Sequence, residues 1–288
     1  MNNALIALQQ KAPQLRPSER RVAEAVITTP TLVVESTISQ LAEHCDASPG
    51  TVTRLCHALG FSGYKDFRLA IASTIAREQT SREFFQVSEA QIDPSDSAAE
   101  VIAKIAYQES RTIEETARLI DPTELDAVAD SLKNAKRVDL FGAGSSGIAA
   151  QDLQLKLHRI GVPSFWWADT HLALTSIGIT EPGGFALAIS HTGTTLEAVQ
   201  FLEIAKSRGA QTAAITNFPE SPLAERADHV LTTWAHDDGM RVGAMPSRIA
   251  QMAVIDFLLV RLVQRDMAAT ESLLRASYDA VKSHRVSH

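Results

Sequence analysis

Over residues 1–77 the apolar positions recur at helical spacing, with Val22, Val26, Leu41, Val52, Leu55 and Leu59 as the inner set and no strand-like alternation between them. Residues 78–100, EQTSREFFQVSEAQIDPSDSAAE, are polar and acidic with one proline and read as a linker. Helical spacing returns over 101–135 through Ile102, Ile105, Ile113 and Leu119. From residue 137 the pattern changes. Short apolar runs, RVDLFGAG, VPSFWWAD, GFALAIS, QTAAITN and HVLTT, are separated by segments long enough for helices. That alternation predicts βαβ units, hence a parallel sheet flanked by helices. A last long helix is predicted from about Ser247 to Gln264, its apolar face serving as core or as subunit interface. The expected fold class is an all-α head joined to an α/β domain. The expected division is 1–77 for the head, 78–112 for a linker and connecting helix, and 113–288 for the sheet domain.

Within the head, TISQLAEHCDASPGTVTRLCHALGFSGYKDF carries its own punctuation. Thr37 with Gln40 is a capping box that starts a helix. Cys45-Asp46-Ala47 forms a tight turn, Ser48 caps a second helix, Pro49 occupies its first position and Gly60 stops it. Two short helices joined so briefly have helix-turn-helix spacing. Gly50, Thr51, Thr53, Arg54 and His57 are expected to face away from the Val52/Leu55/Leu59 stripe. With Ser48 they are the candidate DNA-contacting set, Arg54 being the best single base or phosphate contact, and Lys65 and Arg68 are placed to hold phosphates. Residue by residue, a solvated helical hairpin explains each of them equally well, Arg54 pairing with Asp66; the assembled pattern favours DNA.

Charge changes this picture only mildly. The whole chain carries −7, but residues 1–77 hold 8 Lys/Arg against 6 Asp/Glu, residues 78–112 hold 3 against 7, and residues 113–288 hold 16 against 21. The head is the one positive part, which permits a polyanionic partner there. The length, 288 residues, fits two domains, and 45% hydrophobic residues suffice for sizeable cores. No run of 18 apolar residues appears and the first residues lack the order of a secretory signal, so a cytoplasmic protein without a membrane partner is expected. Cys45 and Cys56 fit no zinc spacing and read as small buried residues. No metal or cofactor is expected.

The second domain holds the chemistry. Strand RVDLF ends at Gly142-Ala143-Gly144-Ser145-Ser146-Gly147 before a helix, where glycines permit a sharp turn and free N–H groups attract an anion. Literally this is G-x-G-x-x-G, and Asp169 ends the next strand, so a dinucleotide site must be weighed. The third strand ends in Ser190-His191-Thr192-Gly193-Thr194-Thr195, again before a helix. Any one of these hydroxyls serves as a helix cap. Four within six residues exceed what one cap requires, and with Ser145 and Ser146 they suit a compact pocket for a phosphomonoester. Neither loop contains Lys or Arg, leaving helix dipoles and hydrogen bonds to balance the charge. Asp169, His171 and Glu197 are further polar groups near the strand ends. Trp166 and Trp167 read as core residues.

These motifs resemble a known family. ISQLAEHCDASPGTVTRLCHALGFSGYKDF is similar to the winged or extended helix-turn-helix head of RpiR/MurR-type bacterial transcriptional regulators. GAGSSGIAA followed by SHTGTTLEA resembles the sugar isomerase (SIS) domain that this family places behind the head. The resemblance covers nearly the whole chain and implies a homodimer or homotetramer, a palindromic operator and a phosphorylated sugar effector. It also implies that the phosphate is held by Ser145, Ser146, Ser190, Thr192 and Thr195; Gly144, Gly193 and His171 complete the candidate phosphosugar site, and no catalytic residue is assigned. Thr192 stands where the family's second serine is usual; it keeps the hydroxyl and adds a methyl. Three functions therefore compete: a sugar-phosphate-sensing regulator, which the residues favour; a phosphosugar isomerase with an appended helical domain, for which His171, His191 and Glu197 show no acid–base partner by spacing; and a dinucleotide-dependent oxidoreductase, which leaves the hydroxyl-rich loop and the helical head unexplained.

Overall fold

The computed structural model describes residues 4–235 and 244–282. They divide into two compact units, with the boundary between residues 111 and 112.

The first unit is helical throughout its described residues. Helices α1 (Ala4–Lys11), α2 (Pro17–Thr28), α3 (Thr31–Glu35), α4 (Ile38–His44) and α5 (Pro49–Ala58) lead into the long α6 (Tyr64–Phe85). Their inner faces meet in one core that includes Leu8, Val22, Val26, Val33, Leu41, Val52, Leu55, Phe67 and Ile71. The sequence fixes the starts of α4 and α5. Thr37 and Gln40 form the reciprocal capping box, and the Ser48 hydroxyl accepts from the Thr51 N–H at 3.1 Å. The turn between these helices passes through Asp46 at φ 48°, and Gly60 ends α5 at φ 85°. Both are left-handed positions, open to Gly and tolerated by Asp. Cys45 and Cys56 are buried in this core.

One expectation is corrected here. The polar segment from residue 78 is not all linker: α6 continues to Phe85, because Glu, Arg and Gln are good helix formers and half-buried Glu78 accepts from Tyr107 and pairs with Arg82 and Arg111. The Arg82–Glu78 pair at 2.8 Å lies one turn apart and supports that extension. Left-handed Gln86 then stops it. No strand occurs among the described residues of this unit, so the head is of the extended helical kind rather than winged.

Helix α7 (Ala98–Leu119) begins in the first unit and ends in the second. The second unit continues α8 (Pro122–Asn134), β1 (Val138–Gly142), α9 (Ser145–Arg159), β2 (Ser164–Trp166), α10 (Thr170–Gly178), β3 (Phe185–Ile189), α11 (Leu196–Ser207), β4 (Gln211–Thr216), α12 (Pro222–Arg226), β5 (His229–Thr232), α13 (Met245–Gln264) and α14 (Met267–Val281). All five strands pair in parallel in the order β2-β1-β3-β4-β5. Every residue of β1 and β3 is buried, as expected for a parallel sheet covered on both faces.

Alternate strand residues serve opposite faces. Val138, Leu140, Phe185, Leu187, Ile189, Ala213 and Ile215 pack with α8, α9 and α13. Phe141, Ala186, Ala188 and Ala214 pack with α10, α11 and α12, where Phe141 and Phe201 stack at 5.4 Å. Trp166 joins the first face and Trp167 the second. Strand order reverses between β1 and β3: β1 feeds α9 on one face and β3 feeds α11 on the other. A crevice at the carboxyl ends of these two strands is the usual ligand position in open parallel sheets.

Candidate functional site

Parallel pairing matches Gly142 at the end of β1 with Ile189 at the end of β3. Neighbouring strands lie roughly 4.8 Å apart, so the loops leaving them, 143–144 and 190–195, start side by side. The first is tight because Gly142 and Gly147 touch: a Cβ on Gly147 would lie 2.7 Å from the Gly142 oxygen, and one on Gly142 would lie 2.5 Å from the Ser146 oxygen. The second is tight because Gly193, at φ +64°, presses on Ser221; a Cβ there would sit 2.0 Å from its Oγ. The glycines of both motifs are thus required by backbone approach as well as by turning.

Side-chain caps separate these two helices from their neighbours. Asp169 caps α10 by accepting from the Leu172 N–H at 2.8 Å, and Ser221 caps α12. Helix α9 follows Gly144, and α11 follows Thr195, with no side-chain cap on either. Thr195 spends its hydroxyl elsewhere: its Oγ1 lies 2.9 Å from Ser190 Oγ, which also accepts from the Gly193 N–H at 3.2 Å. Thr192 Oγ1 accepts from the Thr194 hydroxyl at 2.9 Å and from its N–H at 3.3 Å. Two helix starts are left open at the switch point, edged by hydroxyls that bond mainly to one another. Such a rim offers N–H and O–H donors and a positive dipole end from each helix, which suits an anion.

Ser145 is half-buried and Ser146 buried, both in the first turn of α9. Ser146 Oγ accepts from the Gln251 side-chain amide at 3.0 Å. Gln251 lies on α13, is 1% exposed, and its amide oxygen is buried without a hydrogen-bond partner. Sequence reading missed Gln251. The available signal was a lone amide on the inner face of an apolar helix, between buried Ser247 and Val254. His171 is exposed in the first turn of α10, after the edge strand β2. It shares the carboxyl rim with the two loops without being part of either. Asp169, weighed as a ribose ligand, is engaged as the cap of α10. Among the described residues no group of three or more His, Cys, Asp or Glu side chains is placed to hold a metal ion.

The head presents a second surface. Along α5, Ser48, Gly50, Arg54 and His57 are exposed and Thr53 is half-buried, its hydroxyl donating to the Pro49 carbonyl at 3.1 Å. Lys65 and Arg68 are exposed in the first turns of α6. Thr51 departs from the outward-facing expectation. It is 4% exposed, because position 51 shares a side of α5 with Leu55 and is pulled in by Ser48, whose Oγ lies 3.0 Å from its own. Arg54 does not pair with Asp66, which instead accepts from Ser62. Its Nε donates to Glu19 at 3.3 Å and its Nη2 to Thr51 at 3.0 Å. His57 Nε2 lies 3.3 Å from the Ser62 carbonyl.

Comparison with known proteins agrees with both halves. Residues 2–78 match the helix-turn-helix domain of the rpiR family, and residues 131–261 match the SIS domain. An HTH-type transcriptional regulator of Caldanaerobacter subterraneus is 34% identical over 265 residues, covering 92% of each chain. A bifunctional protein glk of Burkholderia pseudomallei is 30% identical over 269 residues, although the present chain spans only 41% of its length. Among solved structures, Vibrio vulnificus NanR in complex with ManNAc-6P superposes with a TM-score of 0.62 at 25% identity, covering 99% of this chain and all of that one. The chain belongs to the rpiR family of helix-turn-helix transcriptional regulators, with a SIS domain behind the DNA-binding type of head.

Proposed function

We propose that this protein regulates transcription in response to a phosphorylated sugar, binding DNA through α5 of the first unit and the sugar phosphate at the β1/β3 rim of the second. The observation that carries the effector half is the pair of uncapped helix starts on adjacent strands, edged by Ser145, Ser146, Ser190, Thr192 and Thr195. A phosphate monoester supplies what both helix ends lack, an anionic acceptor, without a neighbouring lysine or arginine. The ManNAc-6P seated in the similar Vibrio protein supports the same ligand class. A dinucleotide fits less well, since Asp169 already serves as a cap and the second hydroxyl loop has no part in pyrophosphate binding. The domain division proposed is a DNA-binding head over 1–77, a connector over 78–112 and an effector domain over 113–288. Family relatives named as regulators support a non-catalytic role. Effector and operator are then coupled through linkage: a ligand that favours one arrangement of the dimer or tetramer changes its affinity for a two-fold operator, and the operator reciprocally changes affinity for the ligand.

The double variant Ser190→Ala, Thr192→Ala tests the assignment. Operator binding is expected to persist while the response to added sugar phosphate disappears in a fluorescence-anisotropy titration. A variant that still answers the ligand like the parent removes the hydroxyl loop from the site. The SIS fold also hosts isomerases, so steady turnover of a sugar phosphate by the purified protein would transfer the function to that class.

A further inference from the structure

Arg54 is held in a way that its place on α5 does not require. A guanidinium has two forks of paired donors: one at the side, formed by Nε–H and Nη2–H, and one at the end, formed by Nη1–H and the outer hydrogen of Nη2. Here the side fork is taken. Nε donates to Glu19 Oε1 at 3.3 Å and Nη2 to Thr51 Oγ1 at 3.0 Å. Both acceptors are fixed. The Glu19 side chain is 10% exposed on α2, and Thr51 is buried and bonded to Ser48. The Arg54 side chain itself is 55% exposed. Gly50, one turn earlier, places no side chain beside the end fork; even a Cβ there would lie 3.8 Å from Nη1. An exposed surface arginine ordinarily surrenders considerable rotamer freedom when it binds. This one has surrendered much of it already, while more than half of the side chain stays exposed.

We propose that Arg54 reads a guanine, through its end fork to O6 and N7 in the major groove, and that Glu19 and Thr51 are the positioning residues that aim it. The inference rests on the proposed DNA-binding role of α5 and specifies its target base. The guanine edge offers two adjacent acceptors that match a planar fork, a phosphate offers no base preference, and adenine presents a donor at the equivalent place. A buried carboxylate is a costly anchor on a surface that meets polyanionic DNA. Its position beneath the arginine keeps it from facing the phosphates and leaves a net neutral pair whose value is directional.

Selection of sites from a random duplex library by the full-length protein tests this. The wild type is expected to enrich a motif with one near-invariant guanine per half-site. Arg54→Lys keeps the charge but loses the fork, and is expected to reduce preference for that guanine about tenfold or more, with the remaining positions unchanged. Thr51→Val and Glu19→Gln, which preserve shape, are expected to relax the same single position to a lesser degree, with thermal unfolding monitored to verify that the head remains folded. A structural role alone would lower affinity for all sequences equally and leave the motif intact. Enrichment of a motif with every position indifferent to Arg54→Lys, or Glu19→Gln and Thr51→Val leaving the guanine preference at the wild-type level, overturns the inference while the regulator reading stands. Enrichment of no motif at all overturns both.

Discussion

Gly193 shows how much one residue decides in the 190–195 loop. Its φ of +64° is disfavoured for any side chain, and a Cβ would overlap Ser221, the cap of α12. Gly193→Ala is expected to destabilise the second unit by about 1–3 kcal/mol, read from denaturant unfolding, since strain and overlap act together. Gln251 is expected to act oppositely, bearing on the candidate site more than on the fold. Gln251→Met is expected to free Ser146 Oγ and weaken sugar-phosphate binding, and Gln251→Glu to weaken it further by placing a carboxylate beside the anion. Equal affinity for both variants in isothermal titration would make Gln251 a packing residue only. Sequence patterning exposed the glycines and hydroxyls because their types are unusual where they stand. It could not expose Gln251 as a partner of Ser146, which is 105 residues away along the chain. Cys56 is legible from both directions. Its thiol is buried, and desolvation pushes its pKa to about 11, so it is expected to resist alkylation at pH 8 until the head unfolds.

At the scale of elements, the helices and strands follow their local signals closely. Capping boxes, prolines in first turns and left-handed glycines mark starts and stops that depend only on near neighbours. The strand runs are legible because parallel strands covered on both faces are continuously apolar. The exception is instructive. Residues 78–85 read as linker from their polarity, yet a helix whose one face packs can keep polar residues over most of its surface, and a window dominated by Glu, Arg, Ser and Gln does not reveal the packed side. Contacts between elements are where acid acts. Asp126 on α8 accepts from Arg261 of α13 and from Arg265, the residue that follows that helix, and these bonds hold its carboxyl below the ordinary aspartate value of 3.8. A depressed folded pKa means that this stabilisation is present above the unfolded value and is lost as pH falls through the folded one. Asp126→Asn is therefore expected to flatten the loss of stability of the second unit below about pH 4, the unfolded aspartate range. The same slope in variant and parent would show that the pair contributes nothing measurable, as exposed ion pairs sometimes do.

For the whole molecule, the two units give a direct way to find the effector. A sugar phosphate that binds the folded sheet domain raises its apparent stability, by about 2.7 kcal/mol at a hundredfold excess over its Kd. A thermal-shift series with ManNAc-6P, glucose 6-phosphate and inorganic phosphate is expected to raise the transition assigned to the second unit. The Ser190→Ala, Thr192→Ala variant is expected to show no shift. A shift of equal size in that variant would place the ligand elsewhere. The sequence by itself determined the helical head, the alternating second domain and the two loops, because propensity, capping and hydrophobic period act over a few residues. The tertiary structure alone decided which loops are neighbours, because strand order is set by crossovers rather than by chain order. It likewise decided which helix starts remain uncapped and which side chains, Gln251 and Glu19, stand behind the candidate site residues Ser146 and Arg54, since burial against distant segments has no period along the chain.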